Sequence, residues 1–130
     1  MPSRVWSHLC DYATIDASGK PTIIGDFDRI NARSLPIQFP LFFVISKWAG
    51  YGGEYFTHRV RVMAPSGQQV AVTEEVGVTI RAIGEDDGNH VNIDSFMMIQ
   101  LLEFGEYAIE ILLDDNLVHI LRLTVDQIVT

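Results

Sequence analysis

The run Gly105-Glu106-Tyr107-Ala108-Ile109-Glu110-Ile111-Leu112-Leu113-Asp114-Asp115-Asn116-Leu117-Val118-His119-Ile120-Leu121-Arg122-Leu123-Thr124-Val125 decides the fold class. Side chains of an extended strand alternate between two faces, so Tyr107, Ile109, Ile111 and Leu113 share one side. Asp114-Asp115-Asn116 is turn chemistry, because short polar side chains tolerate the backbone angles of a tight reversal. The returning segment puts Leu117, His119, Leu121, Leu123 and Val125 on the inward side. Two alternating runs around a polar turn predict an antiparallel hairpin with one buried face.

Upstream the same rhythm repeats. Residues 5–15 and 22–30 are strand-like runs separated by Asp16-Ala17-Ser18-Gly19-Lys20-Pro21, which predicts a second hairpin. Pro36 and Pro40 bracket an expected crossover. Residues 41–45, Leu-Phe-Phe-Val-Ile, are apolar on both faces, as in a central strand covered from two sides. In residues 55–64, Phe56, His58, Val60 and Val62 alternate with Thr57, Arg59, Arg61 and Met63, so one side packs and the other is wet. Residues 65–68 form a turn; residues 70–83 continue in strand with a bend at Gly77, and residues 91–102 form a further strand. No segment carries a capped helical stripe, and no repeat or linker divides the chain. The expectation is an all-β fold, one antiparallel β-sandwich domain of about seven to nine strands spanning residues 1–130.

A formal charge of −8 at pH 7 sets up a field that repels phosphate. Arg59 and Arg61 share a strand face but form no basic track, so neither nucleic acid nor an anionic membrane is an expected partner. Cys10, the single cysteine, rules out an intrachain disulfide and fits a reducing compartment. Residues 1–10 contain no continuous apolar stretch, and the longest purely apolar run, residues 41–45, is far too short to cross a bilayer. A cytoplasmic location is the expectation.

Leu9-Cys10-Asp11, Gly19-Lys20, the run Ile23-Ile24-Gly25-Asp26-Phe27-Asp28-Arg29-Ile30 and the Gly105-x-Tyr107 hairpin together resemble an uncharacterised bacterial family of small immunoglobulin-like β-sandwich proteins. Gly105-Glu106-Tyr107 is similar to the tyrosine corner of such domains, in which a Tyr hydroxyl closes onto nearby backbone. The resemblance covers both ends of the chain and implies a fold. It carries no activity.

The chemistry-bearing residues form no specific motif. His8, His58, His90 and His119 lack the spacings of a metal site, and no metal or cofactor is expected. Residues 85–89, Glu-Asp-Asp-Gly-Asn, concentrate oxygen ligands but lack the pattern of a calcium loop. Asp26, Asp28 and Asp11 are candidates for acid–base work, weighed against a surface network with Arg29. Cys10 beside Asp11 and near His8 reads as structural, since neighbouring carboxylates oppose thiolate formation.

Two features point to binding. The glycine-rich loop of residues 48–53 sets Trp48 and Tyr51 at an end of the sandwich, where such folds carry recognition. Trp6, Phe42, Val44, Phe96, Met98, Leu112 and Ile120 lie opposite the assigned core positions, an apolar face that marks an interface unless the strand register is read one residue off. The leading expectation is a non-enzymatic binding or self-assembly module, a homo-oligomer using Phe42 and Phe96 as interface and Trp48 and Tyr51 as loop contacts, with a protein partner allowed. The alternatives are a metal-dependent or carboxylate hydrolase and a structural component of a larger bacterial or phage assembly.

Overall fold

Apolar alternation at period two, interrupted by Gly, Pro and Asp turns, yields strands throughout and no helix among the described residues. The computed structural model describes residues 1–84 and 87–129. In chain order the strands are β1 (Ser3–Ile15), β2 (Pro21–Asp26), β3 (Arg29–Ala32), β4 (Ile37–Gly50), β5 (Tyr55–Met63) and β6 (Gln69–Val72). They continue with β7 (Val76–Thr79), β8 (Arg81–Ala82), β9 (Gly88–Leu101), β10 (Gly105–Leu113) and β11 (Asn116–Gln127).

One sheet of five strands runs β2-β1-β4-β9-β8; a sheet of six contains β3-β11-β10-β5-β6, with β7 also paired to β5. The two pack face to face as an open β-sandwich, the architecture expected from the alternation. The described residues form eleven strands because the run expected over residues 22–30 divides into β2 and β3, and the one over residues 70–83 into β6, β7 and β8. β6 and β7 both lie on β5, and β8 then crosses to β9 in the other sheet. β3 pairs parallel with β11, an exception to the antiparallel rule of the other ladders.

Both expected hairpins form, β1 with β2 and β10 with β11. Residues 41–45 belong to β4, which lies between β1 and β9 at the centre of its sheet. The core between the sheets takes Phe42, Val44, Trp48 and Phe96 from the five-stranded sheet. From the other sheet come Phe56, Val60, Val62, Tyr107, Ile109, Ile111, Leu113, Leu123 and Val125. Each such side chain contributes roughly 1.5–3 kcal/mol on removal from water.

Pro40 does not bracket a crossover; it lies inside β4. Between the pairs Leu41↔Met97 and Phe39↔Ile99 sit Pro40 and Met98, the latter at φ 54°. A proline without an N–H and a residue at positive φ break the ladder, and the facing of the side chains switches there. Beyond the break Phe39 and Ile99 pack inward on the core, whereas Leu41 and Met97 face out.

Candidate functional site

The two outer faces of the sandwich differ in chemistry. On the six-stranded sheet, Arg61 pairs with Glu110 across β5 and β10, Arg122 with Glu106 across β10 and β11, and Arg59 with Glu75. That surface is solvated. On the five-stranded sheet the outward positions are Trp6, Tyr12, Ile24, Leu41, Phe43, Ile45, Val91, Ile93 and Met97, placed side by side by the pairings of β1 with β2 and β4, and of β4 with β9. Ile45 and Cys10 are fully covered by neighbours on this face, while Tyr12, Ile24 and Leu41 are exposed and Met97 is 68% exposed. A contiguous apolar sheet face of this kind is a surface that marks an interaction site.

At one end of the same face the pairs Ser3↔Ala49 and Ala49↔Asn89 border a hollow of about 620 Å³. Val5, Lys47, Tyr51, Glu54 and Ile83 line it. Tyr51 is 71% exposed, and the Glu54 carboxylate holds this corner together by accepting from the Tyr51 amide and pairing with the N-terminal amine. Both contacts keep the Glu54 carboxyl below its ordinary range, the amine contributing most.

These positions correct the residues expected at the interface. Phe42 is 2% and Phe96 4% exposed, and they stack on each other with ring centroids 5.0 Å apart, inside the sandwich. The one-residue register alternative is the one realised: Leu41, Phe43, Ile93 and Met97 point outward instead. Trp48 is not a loop residue; β4 runs on to Gly50, and its ring is wholly buried against Phe56 and His58. Of the two aromatics expected in that loop, Tyr51 is the one that reaches solvent.

A second constellation lies between the sheets. The inward positions of β9 are His90, Asn92 and Asp94, beside Trp48, Ser46 and Val44 of β4. Across from them His58 of β5 brings Nδ1 to 3.7 Å from Asp94 Oδ2, beyond hydrogen-bond range. Trp48 Nε1, His58 Nε2 and Asn92 Oδ1 are buried with no hydrogen-bond partner among the described residues. Burial pushes Asp94 up to about 7 and, with a smaller contribution from His90, pulls His58 down to about 4. Between about pH 4 and pH 7 the pair is therefore uncharged imidazole and protonated carboxyl, and at neutrality the carboxyl is midway through its titration.

Of the sequence candidates for hydrolytic chemistry, His8, Asp26 and Asp28 line one cleft, and His58 does not join them. His8 contacts Asp26 at 3.3 Å at the mouth of a cleft of about 450 Å³ that Asp28 and Arg122 also line, remote from the His58 cluster in the core. His90 lies on β9 and His119 on β11. Among the described residues no three His, Cys, Asp or Glu side chains gather as a metal-ligand set. Cys10 is buried, and desolvation first, then Asp26 and Asp11, raises its thiol pKa, which suits a packing role. The acidic loop of residues 85–89 lies partly outside the described residues. Among the described residues no helix is long and apolar enough to cross a membrane.

Sequence comparison adds one relationship: residues 5–126 match the family of unknown function DUF6941. No curated protein matches the chain.

Proposed function

The chain belongs to DUF6941, a family that brings no activity with it, and we propose from its own surfaces that it is a non-enzymatic assembly module pairing with a second copy of itself through the outer face of the five-stranded sheet. One observation carries this reading: the outward side of one sheet carries Arg–Glu pairs, whereas that of the other is dominated by Trp6, Tyr12, Ile24, Leu41, Phe43, Ile93 and Met97, with His8, Asp26, Lys47 and Ser95 among them. An apolar sheet face is stably covered by another such face about 10 Å away.

A second copy fits better than an unrelated partner on electrostatic grounds. The whole chain carries −8, so self-contact is tolerable only where carboxylates are few. The outer face offers Asp26, already beside His8, together with the cation Lys47. A twofold contact between identical patches also closes without leaving a free patch. The hollow beside Tyr51 opens at the end of this face and supplies a recess for side chains of the opposing copy.

We further read the chain as an immunoglobulin-like domain of a cytoplasmic bacterial protein. The Tyr107 corner supports the first part, and a lone buried Cys10 is consistent with a reducing compartment.

Native mass spectrometry and light scattering test the pairing. The expected result is twice the 14.6 kDa chain mass for the wild type. Met97→Glu and Leu41→Glu, placed at exposed positions so that the free chain still folds, should return the monomer. A wild-type monomer at high micromolar concentration, or folded variants that remain dimeric, would overturn the reading; a larger heteromeric particle would replace it with a structural role in an assembly.

A further inference from the structure

β9 is an edge strand over most of its length. β8 covers only Gly88 and Asn89, so from residue 90 to 101 its one ladder partner is β4. An edge strand has hydrogen bonds on one side, and its seating on the opposite sheet depends on its inward side chains. In the second half of β9 those are apolar, with Phe96 stacked on Phe42 and Leu101 buried. In the first half they are His90, Asn92 and Asp94, and Asp94 comes within 3.7 Å of His58 on the other sheet. This half is held by polar groups in a low-dielectric space, where a net charge is costly.

We propose that the His58–Asp94 contact is a proton-operated latch: uncharged, it seats the first half of β9 against β5, and loss of the Asp94 proton releases that half from the sandwich.

The surroundings leave an ionised Asp94 without compensation. From β4 its neighbours are Val44, Ser46 and Trp48, none of them titratable. From β5 it faces His58, flanked by the apolar Phe56 and Val60. On its own strand the remaining titratable group is His90, whose pKa burial also lowers. Arg59, next to His58 in sequence, points to the opposite face and pairs with Glu75 and Asp115. Moving the proton onto His58 would make an ion pair, but burial and His90 both oppose an imidazolium there. The Asp94 side chain is 12% exposed at rest, and completing its exposure to water by lifting the edge is the remaining relief. The threshold falls near pH 7, and because opening is coupled to loss of one proton, the opening constant should rise about tenfold per pH unit above it.

Hydrogen exchange of the intact protein, read by mass spectrometry on a peptide covering residues 88–101 and corrected for intrinsic amide chemistry, tests this between pH 6 and pH 9. Protection of residues 90–95 should fall by one to two orders of magnitude across that range, while β10 stays unchanged. Asp94→Asn, which keeps size and hydrogen-bonding capacity but cannot ionise, should remove the pH dependence. Unchanged protection in the wild type, or the same dependence in the variant, would overturn the latch. If Asp94→Asn fails to fold, the carboxyl carbon shift of Asp94 in the wild type decides: titration near neutrality supports the latch and titration below pH 5 overturns it.

Discussion

The Tyr107 hydroxyl donates to the Glu103 carbonyl at 2.9 Å and accepts from the Glu103 amide at 3.1 Å, so one side chain satisfies both backbone groups of a residue four positions upstream. This is the closure that Gly105-Glu106-Tyr107 resembles in the sequence. Tyr107→Phe removes both bonds and leaves the Glu103 groups without these partners. A loss of about 1–3 kcal/mol is expected. Urea denaturation followed by circular dichroism should show a lower midpoint at unchanged slope.

The His58–Asp94 pair makes a separable prediction about stability against pH. Asp94, raised from 3.8 to about 7 by folding, contributes stability that is full below pH 3.8 and is lost as pH rises through 7. His58, lowered from 6.5 to about 4, contributes stability that is full above pH 6.5 and is lost as pH falls through 4. Between those values the two opposite slopes cancel, because folding moves a proton from imidazole to carboxylate without changing the number bound. Asp94→Asn leaves the histidine slope alone, so its stability should climb by up to about 1.4 kcal/mol per pH unit from pH 4 to 6.5. Urea melts at several pH values in that window measure this difference from a wild type whose pair contributes no slope.

How much of this was legible in the sequence depended on contrast between strand faces. β5 and β10 were readable because Arg59, Arg61, Glu106 and Glu110 mark outward positions against a mostly apolar inward set, so the period is visible. In residues 41–45 both faces are apolar, so alternation alone does not distinguish Phe42 from Phe43, and in residues 91–94 the alternation is visible but inverted, with Asn92 and Asp94 inward and Val91 and Ile93 outward. Their direction is set by the pairing of β4 with β9 and by the break at Pro40 and Met98. The glycines that follow Trp48 give it the local signature of a loop, whereas β4 extends to Gly50. The buried cluster had one available signal, the spacing His90-x-Asn92-x-Asp94 on a single strand face. Its partner His58 lies on the other sheet, a long-range contact with no local signature.

Phe42 and Phe96 should behave as core. Phe96→Ala removes a ring that is stacked and buried, at a cost of about 3–5 kcal/mol. Chain association, read by light scattering at a temperature where the variant stays folded, should match the wild type, in contrast to Met97→Glu. A monomeric but stable Phe96→Ala protein would return the interface to the face first expected.

The turn between β10 and β11 supplies a comparison within two adjacent residues. Asp114 and Asp115 have φ of 50° and 63°, the pair of positive values that a two-residue hairpin turn requires. Glycine adopts such angles without steric cost, so backbone strain alone predicts that either substitution stabilises. The side chains separate them. Asp114 Oδ1 accepts from the Thr57 amide at 2.9 Å and ties the hairpin to β5, whereas Asp115 is exposed and contacts Arg59 at 3.5 Å. An exposed pair of that kind contributes little. Asp115→Gly should therefore be neutral or stabilising, by at most about 1 kcal/mol. Asp114→Gly should destabilise by about 1–2 kcal/mol despite the same backbone benefit, because the Thr57 amide loses its acceptor. Parallel thermal and urea melts of the two variants read the sign of each change, and equal shifts in the same direction would show that turn strain, not the Asp114 bond, dominates this hairpin.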